Sequence, residues 1–133
     1  MDAVIIDTNI VIWYFNQPIL PSSLAQTAIK AALSNGSIFV TTITIVELTY
    51  LIEKNKIPLD VLTALQNALD EPSSAFQMIE LTREISDALS RIPRSIVPDM
   101  PDRIIAATAL HLDLPLITSD GDIRKLKNIE TIW

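Results

Sequence analysis

Short apolar runs rich in β-branched residues alternate along this chain with helix-length segments, and that alternation narrows the folds open to it more than any other feature. AVII at residues 3–6 and SIFVTT at 37–42 read as strands covered on both faces, because their apolar residues are continuous rather than alternating. FQMIEL at 76–81 and LPLITSD at 114–120 read as a third and a fourth strand, and IETIW at 129–133 as a last one after a short helical turn. Between them, 8–15 makes one or two helical turns stopped by NQPILP. Ser22 or Ser23 then caps a helix running to about Ser34, ended by Asn35 and Gly36. Residues 43–55, 59–69 and 83–91 make further helices, with EPSS a break and Pro93 beyond the last of them. Asp102 opens a helix, RIIAATALHL, after the loop SIVPDMPD. Alternating strands and helices predict an α/β three-layer sandwich: a central, mostly parallel sheet of four to five strands with helices on both faces. At 133 residues the chain is the length of one domain, expected over 1–133.

Composition restricts the chemistry. The chain has no cysteine and a single histidine, His111, so thiolate sites and multi-imidazole zinc sites are excluded and any metal must be held by oxygen. His111 itself belongs late in a helix, where an imidazole suits the C-terminal dipole. No basic region precedes the first apolar stretch, and Asp7 interrupts it, so neither a signal peptide nor a membrane span is expected and a cytoplasmic location is.

The acids carry the most information. Asp7 stands at the C-terminal end of the first strand, Glu47 in the first turns of the helix after the second, Asp102 at the start of a helix and Asp120 at the end of the fourth strand. In parallel α/β folds ligands gather outside the C-terminal strand ends, so these four residues can converge. Each also has a local explanation. Asp7 can cap the helix beginning at Thr8, Thr44 and Glu47 have the spacing of a capping box, Asp102 can cap its helix, and Asp120 can be a turn residue beside Gly121. Caps need no convergence, whereas a hard cation does. Four converging carboxylates without one would repel each other, and Mg²⁺ or Mn²⁺ takes carboxylate oxygens and can activate water for phosphodiester cleavage.

IIDTNI at 5–10, TITIVEL at 42–48, PDRIIAATAL at 101–110 and PLITSDGDI at 115–123, in that order, resemble the PIN-domain ribonucleases, and among them the VapC-type toxins of prokaryotic toxin–antitoxin pairs. The resemblance spans nearly the whole chain and implies a PIN-like fold and a metal-dependent endoribonuclease with Asp7, Glu47, Asp102 and Asp120 as its acidic site. It makes Asp7 and Asp102 the principal Mg²⁺ or Mn²⁺ contacts. It also implies that Thr8 and Asn9 position Asp7 and its neighbours, and that the hydroxyl of Thr118 or Ser119 serves the metal shell or the substrate. Asp99 and Asp122 are further acids of the pattern: relatives often carry a second acid just before the matched aspartate of the third motif, and one near Asp122 is variable.

A formal net charge of −6 is awkward for an RNA-binding chain, but the four acids supply −4 of it, and two divalent ions would leave about −2. Arg91, Arg94 and Arg103 around the third motif, and Arg124, Lys125 and Lys127 after Asp120, are candidate phosphate contacts. An acidic cleft also suits a basic inhibitory segment, and the resemblance implies a cognate antitoxin. Trp13, Tyr14 and Phe15 cannot all face one core. They read as core or interface rather than a base-stacking platform, and a homodimer or a bound partner is expected through the apolar residues of the first helices, a homodimer foremost. Two other readings compete: a receiver-type phosphoacceptor module, which expects paired acids after the first strand and a lysine after the fifth, and a catalytically silent PIN-like interaction domain.

Overall fold

Strand β1 (Val4–Ile6) is buried along its whole length, and its side chains divide between two cores. Val4 and Ile6 pack with Ile10, Val11, Leu48 and Leu65 on one face, while Ile5 packs with Ile85, Ile92, Ile105 and Leu116 on the other. That division is the period-two geometry of a strand sandwiched between helical layers, and it explains why the run is continuously apolar. The computed structural model describes residues 2–16 and 21–133. Of the expected stop NQPILP, residues 17–20 lie outside the described residues.

Four more strands join β1: β2 (Ile38–Thr41), β3 (Phe76–Ile79), β4 (Leu116–Ile117) and β5 (Thr131–Ile132). All pairings are parallel, in the order β3-β2-β1-β4-β5, with Ile5 opposite Phe39 on one side and Leu116 on the other. The six α-helices among the described residues are α1 (Thr8–Asn16), α2 (Ser23–Asn35), α3 (Thr42–Glu53), α4 (Leu59–Asp70), α5 (Arg83–Ala88) and α6 (Met100–Leu112). Two 3-10 turns, Leu89–Arg91 and Ile123–Lys125, follow α5 and β4. The layering is the one expected from the sequence, with five strands. A receiver-type module of the flavodoxin order would run 2-1-3-4-5, so this strand order disfavours that reading. No helix among the described residues is long and apolar enough to cross a membrane.

Local signals act as expected at most boundaries. The Ser22 hydroxyl accepts the Ala25 N–H at 3.1 Å and starts α2, and Thr82 does the same for Ile85 at α5. Gly36 ends α2, and the reason is proximity: a Cβ there would collide with the backbone carbonyl of Asp2. Helix α6 begins at Met100 rather than Asp102, because Asp99 accepts the Asp102 N–H at 3.2 Å and Pro101 fits the first turn. Asp102 is therefore not the cap of this helix; it stands inside the first turn.

Of the two readings of the aromatic run, the core is visible in the structure. Tyr14 and Phe15 both lean on Phe76, with ring centroids 5.3 and 5.4 Å away, and all three rings, partly buried, pack against the core of this same chain.

Candidate active site

The strand order reverses direction between β1 and β4, and at such a switch point the two connections leave toward opposite faces and open a crevice at the C-terminal strand ends. Asp7 and Thr118 stand on either side of it, immediately after β1 and β4. The Thr118 hydroxyl donates to Oδ2 of Asp7, tying the two strand ends together. Oδ1 of Asp7 accepts the Asn9 N–H at 2.8 Å, so Asp7 does cap α1. The local and the functional explanations thus describe one residue at once. Asp7 is 4% exposed, and its burial raises its pKa. The bonds from Thr118, Asn9 and Ile10 oppose that rise, and the charge of Asp120 adds to it.

Glu47 is held by a hydroxyl relay. Its Oε1 accepts from the Thr8 hydroxyl at 2.5 Å, and Thr8 lies 3.0 Å from the Thr44 hydroxyl. A hydroxyl has one proton, so with Thr8 donating to Glu47, Thr44 must donate to Thr8. The Thr44–Glu47 spacing is therefore not a capping box, since α3 starts two residues earlier and Thr44 is fully buried inside it. Thr44 is the residue that sequence reasoning missed: its spacing to Glu47 was visible but carries a different bond. Thr8 serves Glu47 while Asn9 serves Asp7 through its backbone, its own side chain being exposed. Partial burial raises the pKa of Glu47; Thr8 counters this, and the charges of Asp99 and Asp7 reinforce it.

Asp102, half-buried in the first turn of α6, is pushed up to about 7, first by burial and then by the charges of Asp99, Asp120, Asp7 and Glu47. Four carboxylates, Asp99 beside it and three from separate stretches of chain, therefore act on Asp102. Asp120 is fixed by its turn: its Oδ1 accepts the N–H groups of Asp122 and Ile123, each at 2.9 Å, and its own N–H donates to Thr118 Oγ1 at 3.0 Å. Gly121 does not use a positive φ there, so the turn rests on those bonds rather than on glycine's freedom. Ser119, between Thr118 and Asp120, is exposed. Asp122 pairs with Lys125 at 3.4 Å on the exposed turn.

Among the described residues that pair is the one ion pair, so no cation bridges to the five acids. The candidate phosphate ligand Arg103 is otherwise engaged. Its guanidinium donates to the carbonyls of Ile92 and Leu89 at 2.9 to 3.1 Å, pinning the turn before α6. Arg91, Arg94, Arg124 and Lys127 are exposed, and His111 lies in the last turn of α6. The donors at the strand ends are thus carboxylate and hydroxyl oxygens, the set that suits a hard divalent cation. Among the described residues no three acids are already drawn into a metal-ligand set. Their mutual influence and this separation are compatible: unscreened charges act over about 10 Å, whereas ligation needs contact at about 2 Å, and like charges without a cation hold apart.

Thr118→Val tests the tie across the switch point. It keeps the shape but leaves Oδ2 of Asp7 and the Asp120 N–H without their partner, which should cost about 1–3 kcal/mol in urea unfolding. A variant as stable as the parent would show that Thr118 does not hold Asp7.

A family model described as the PIN domain matches residues 4–129 of the chain. Ribonuclease VapC22 of Mycobacterium tuberculosis is 28% identical over 135 residues, covering 100% of both proteins. Among solved structures, VapBC2 from Rickettsia felis, bound to a DNA fragment from its promoter, aligns with a TM-score of 0.72 and 19% identity over 97% of this chain and 96% of that one. VapBC-5 of Mycobacterium tuberculosis, a member of the VapBC family of toxin–antitoxin systems, aligns with a TM-score of 0.65 and 20% identity over 99% of this chain and 98% of that one. At these identities the solved structures share the fold.

Proposed function

We propose, from the premise that this chain belongs to the PIN domain family, that it is a metal-dependent endoribonuclease cutting RNA phosphodiester bonds at Asp7, Glu47, Asp102 and Asp120. The observation that carries the reading is the group of five mutually repelling carboxylates at the switch point, with Asp102 raised to about 7 and no basic partner among the described residues. Such an arrangement costs stability unless a cation completes it. Asp7, Glu47, Asp102 and Asp120 are the residues that would hold Mg²⁺ or Mn²⁺, with Asp99 beside them. When bound, the ion supplies an activated water and stabilises the leaving oxygen of the broken P–O bond.

The chain's own groups prepare that site. Asn9 and Thr118 fix both oxygens of Asp7, and the 122–123 N–H groups fix Oδ1 of Asp120. The Thr44–Thr8 relay orients Glu47. Asp102 is the adjustable member: near neutrality it holds a proton for part of the time, and it must release that proton to accept a cation. Asp122, paired with Lys125, is not assigned a role.

The VapC name of the 28% identical relative and the VapBC assemblies among the structural relatives support a toxin restrained by a cognate antitoxin. A basic inhibitory segment suits the acidic cluster electrostatically. Exposed Leu24, Val46, Tyr50 and Leu59 offer apolar surface for that partner or for a second copy in a homodimer. One nuclease domain over 1–133, at work in the cytoplasm where RNA is found, completes the reading. A silent interaction domain is less favoured because every acid of the site is retained.

The test is incubation of the purified chain with structured RNAs in Mg²⁺ or Mn²⁺, then with chelator. Endonucleolytic products that disappear on chelation and return with added metal are the expected result. No cleavage in either metal, or cleavage indifferent to chelator, would overturn the reading.

A further inference from the structure

Beside the acids lies a small cavity of about 120 Å³ lined by Asn9, Ile10, Trp13, Pro21, Ser119 and Trp133. Its position follows from the chain itself. The Asn9 N–H is bonded to Asp7, and Ser119 lies between Thr118, which is also bonded to Asp7, and Asp120. A group seated here is therefore next to the carboxylates. Both tryptophans of the chain line it. Trp13 also carries the buried side-chain donor, Nε1, that finds no acceptor among the described residues. Buried donors are almost always satisfied, so Nε1 calls for an acceptor; Trp13 borders this cavity and a second one beside α2, lined also by Tyr14, Gln26 and Lys30.

The lining excludes several ligand classes. Among the described residues it has no cationic side chain to offset a phosphate and no carboxylate to hold a metal within it. Two indoles, an isoleucine and a proline supply flat apolar walls, and an exposed amide and an exposed hydroxyl supply both donors and acceptors. Stacking walls with a mixed polar edge are what single-stranded RNA recognition uses to hold an unstacked base. A larger cavity of about 380 Å³ between α2 and β5 shares only Trp133 with this one and contains none of the five acids.

We infer that this cavity receives one nucleobase of the RNA strand, stacked against Trp13 and Trp133 and read at its edge by Asn9 and Ser119, so that it selects where the strand is cut. The inference rests on the ribonuclease reading for its substrate. The aromatic run then divides between two roles, with Tyr14 and Phe15 completing the core around Phe76 and Trp13 serving the substrate.

The experiment is an abasic scan. Oligoribonucleotides spanning a cleavage site, each lacking one base, are cut by the parent, by Trp133→Ala and by Trp133→Phe. Trp133 is only partly buried and the β4–β5 pairing runs through Thr131 and Ile132, so its substitution keeps that pairing. The parent should lose roughly 5- to 100-fold in kcat/KM at one abasic position, the range for one stacked base. Trp133→Ala should show little penalty at that position, and Trp133→Phe should restore it. Because Trp13 and Trp133 are the chain's two tryptophans and both line the cavity, fluorescence in chelator gives a second readout: a short intact oligoribonucleotide should quench it saturably and an all-abasic one of equal length should not. Equal abasic penalties in the parent and Trp133→Ala, or no base-dependent quenching, would overturn the inference, including in favour of a partner protein's side chain in the cavity. If the parent cuts no RNA, the ribonuclease reading falls, and quenching then decides the cavity alone.

Discussion

Asp102→Asn should abolish RNA cleavage, lowering it at least 100-fold, while leaving the fold intact. Asparagine matches the aspartate in shape and keeps its place in the first turn of α6, where the backbone N–H still reaches the Asp99 cap. What it removes is the charge on which the other four acids converge. Even residues that only orient metal ligands change metal affinity or activity by 10- to 100-fold, so loss of a proposed ligand should exceed that. In chelator near pH 8 the same variant should melt at a higher temperature than the parent, because a carboxylate ionised against its surroundings has been neutralised. Cleavage rates in Mg²⁺ and melts in chelator check both halves. A variant that cut RNA as the parent does would show that the assigned site is wrong.

Stability of the metal-free protein should fall as pH rises from about 4 to about 7, the reverse of the usual carboxylate behaviour. The sign follows from which state holds the proton. Asp102 titrates at about 7 in the folded chain and from the ordinary value of 3.8 when unfolded. Between those values the native state binds a proton that the unfolded state has released, so stability declines with pH. The group's favourable contribution is complete below pH 3.8, and it is gone once pH passes about 7. Asp7 and Glu47, both raised by burial, act in the same direction. Each pKa unit corresponds to about 1.4 kcal/mol, but Asp102 is half open to solvent and screening roughly halves this, leaving a loss of about 2 kcal/mol. That corresponds to roughly 6–10 °C in Tm for a domain of this size. Excess Mg²⁺ should reverse the slope, since the ion binds the ionised folded state and its affinity grows as the acids lose their protons. Thermal melts from pH 4.5 to 8, in chelator and in Mg²⁺, give the comparison. A flat or rising profile in chelator would show that the acids do not strain one another.

Much of the site was legible in the sequence because its residues sit where periodicity changes. Asp7 and Asp120 interrupt apolar strand runs, and a parallel sheet delivers such positions to one edge whatever the details of packing. The partners of those acids were not legible. Thr118 meets Asp7 across 111 residues of chain, and Thr8 meets Glu47 across 39. Arg103 looked like a phosphate ligand because it follows Asp102, yet it turns to the carbonyls of Leu89 and Ile92, whose position no local pattern encodes. The capping reading was sound at Asp7, the turn reading held at Asp120 without the backbone freedom expected of Gly121, and Asp99 took the role expected of Asp102, because caps and turns depend on spacing of three residues or fewer.

By itself, then, the sequence determined the layered α/β architecture, the five strands and the acids at their ends, all of which follow from local periodicity, caps and the handedness of parallel crossovers. Only the tertiary structure decided the strand order, the tie of Asp7 to Thr118 and the hydroxyl relay to Glu47. It alone set the three consecutive aromatics against the core that contains Phe76, with Trp13 also bordering a cavity beside the acids. The physical reason is range: propensity and capping act within one turn of chain, whereas burial, charge repulsion and hydroxyl bonding depend on distances that exist only once the sheet has formed.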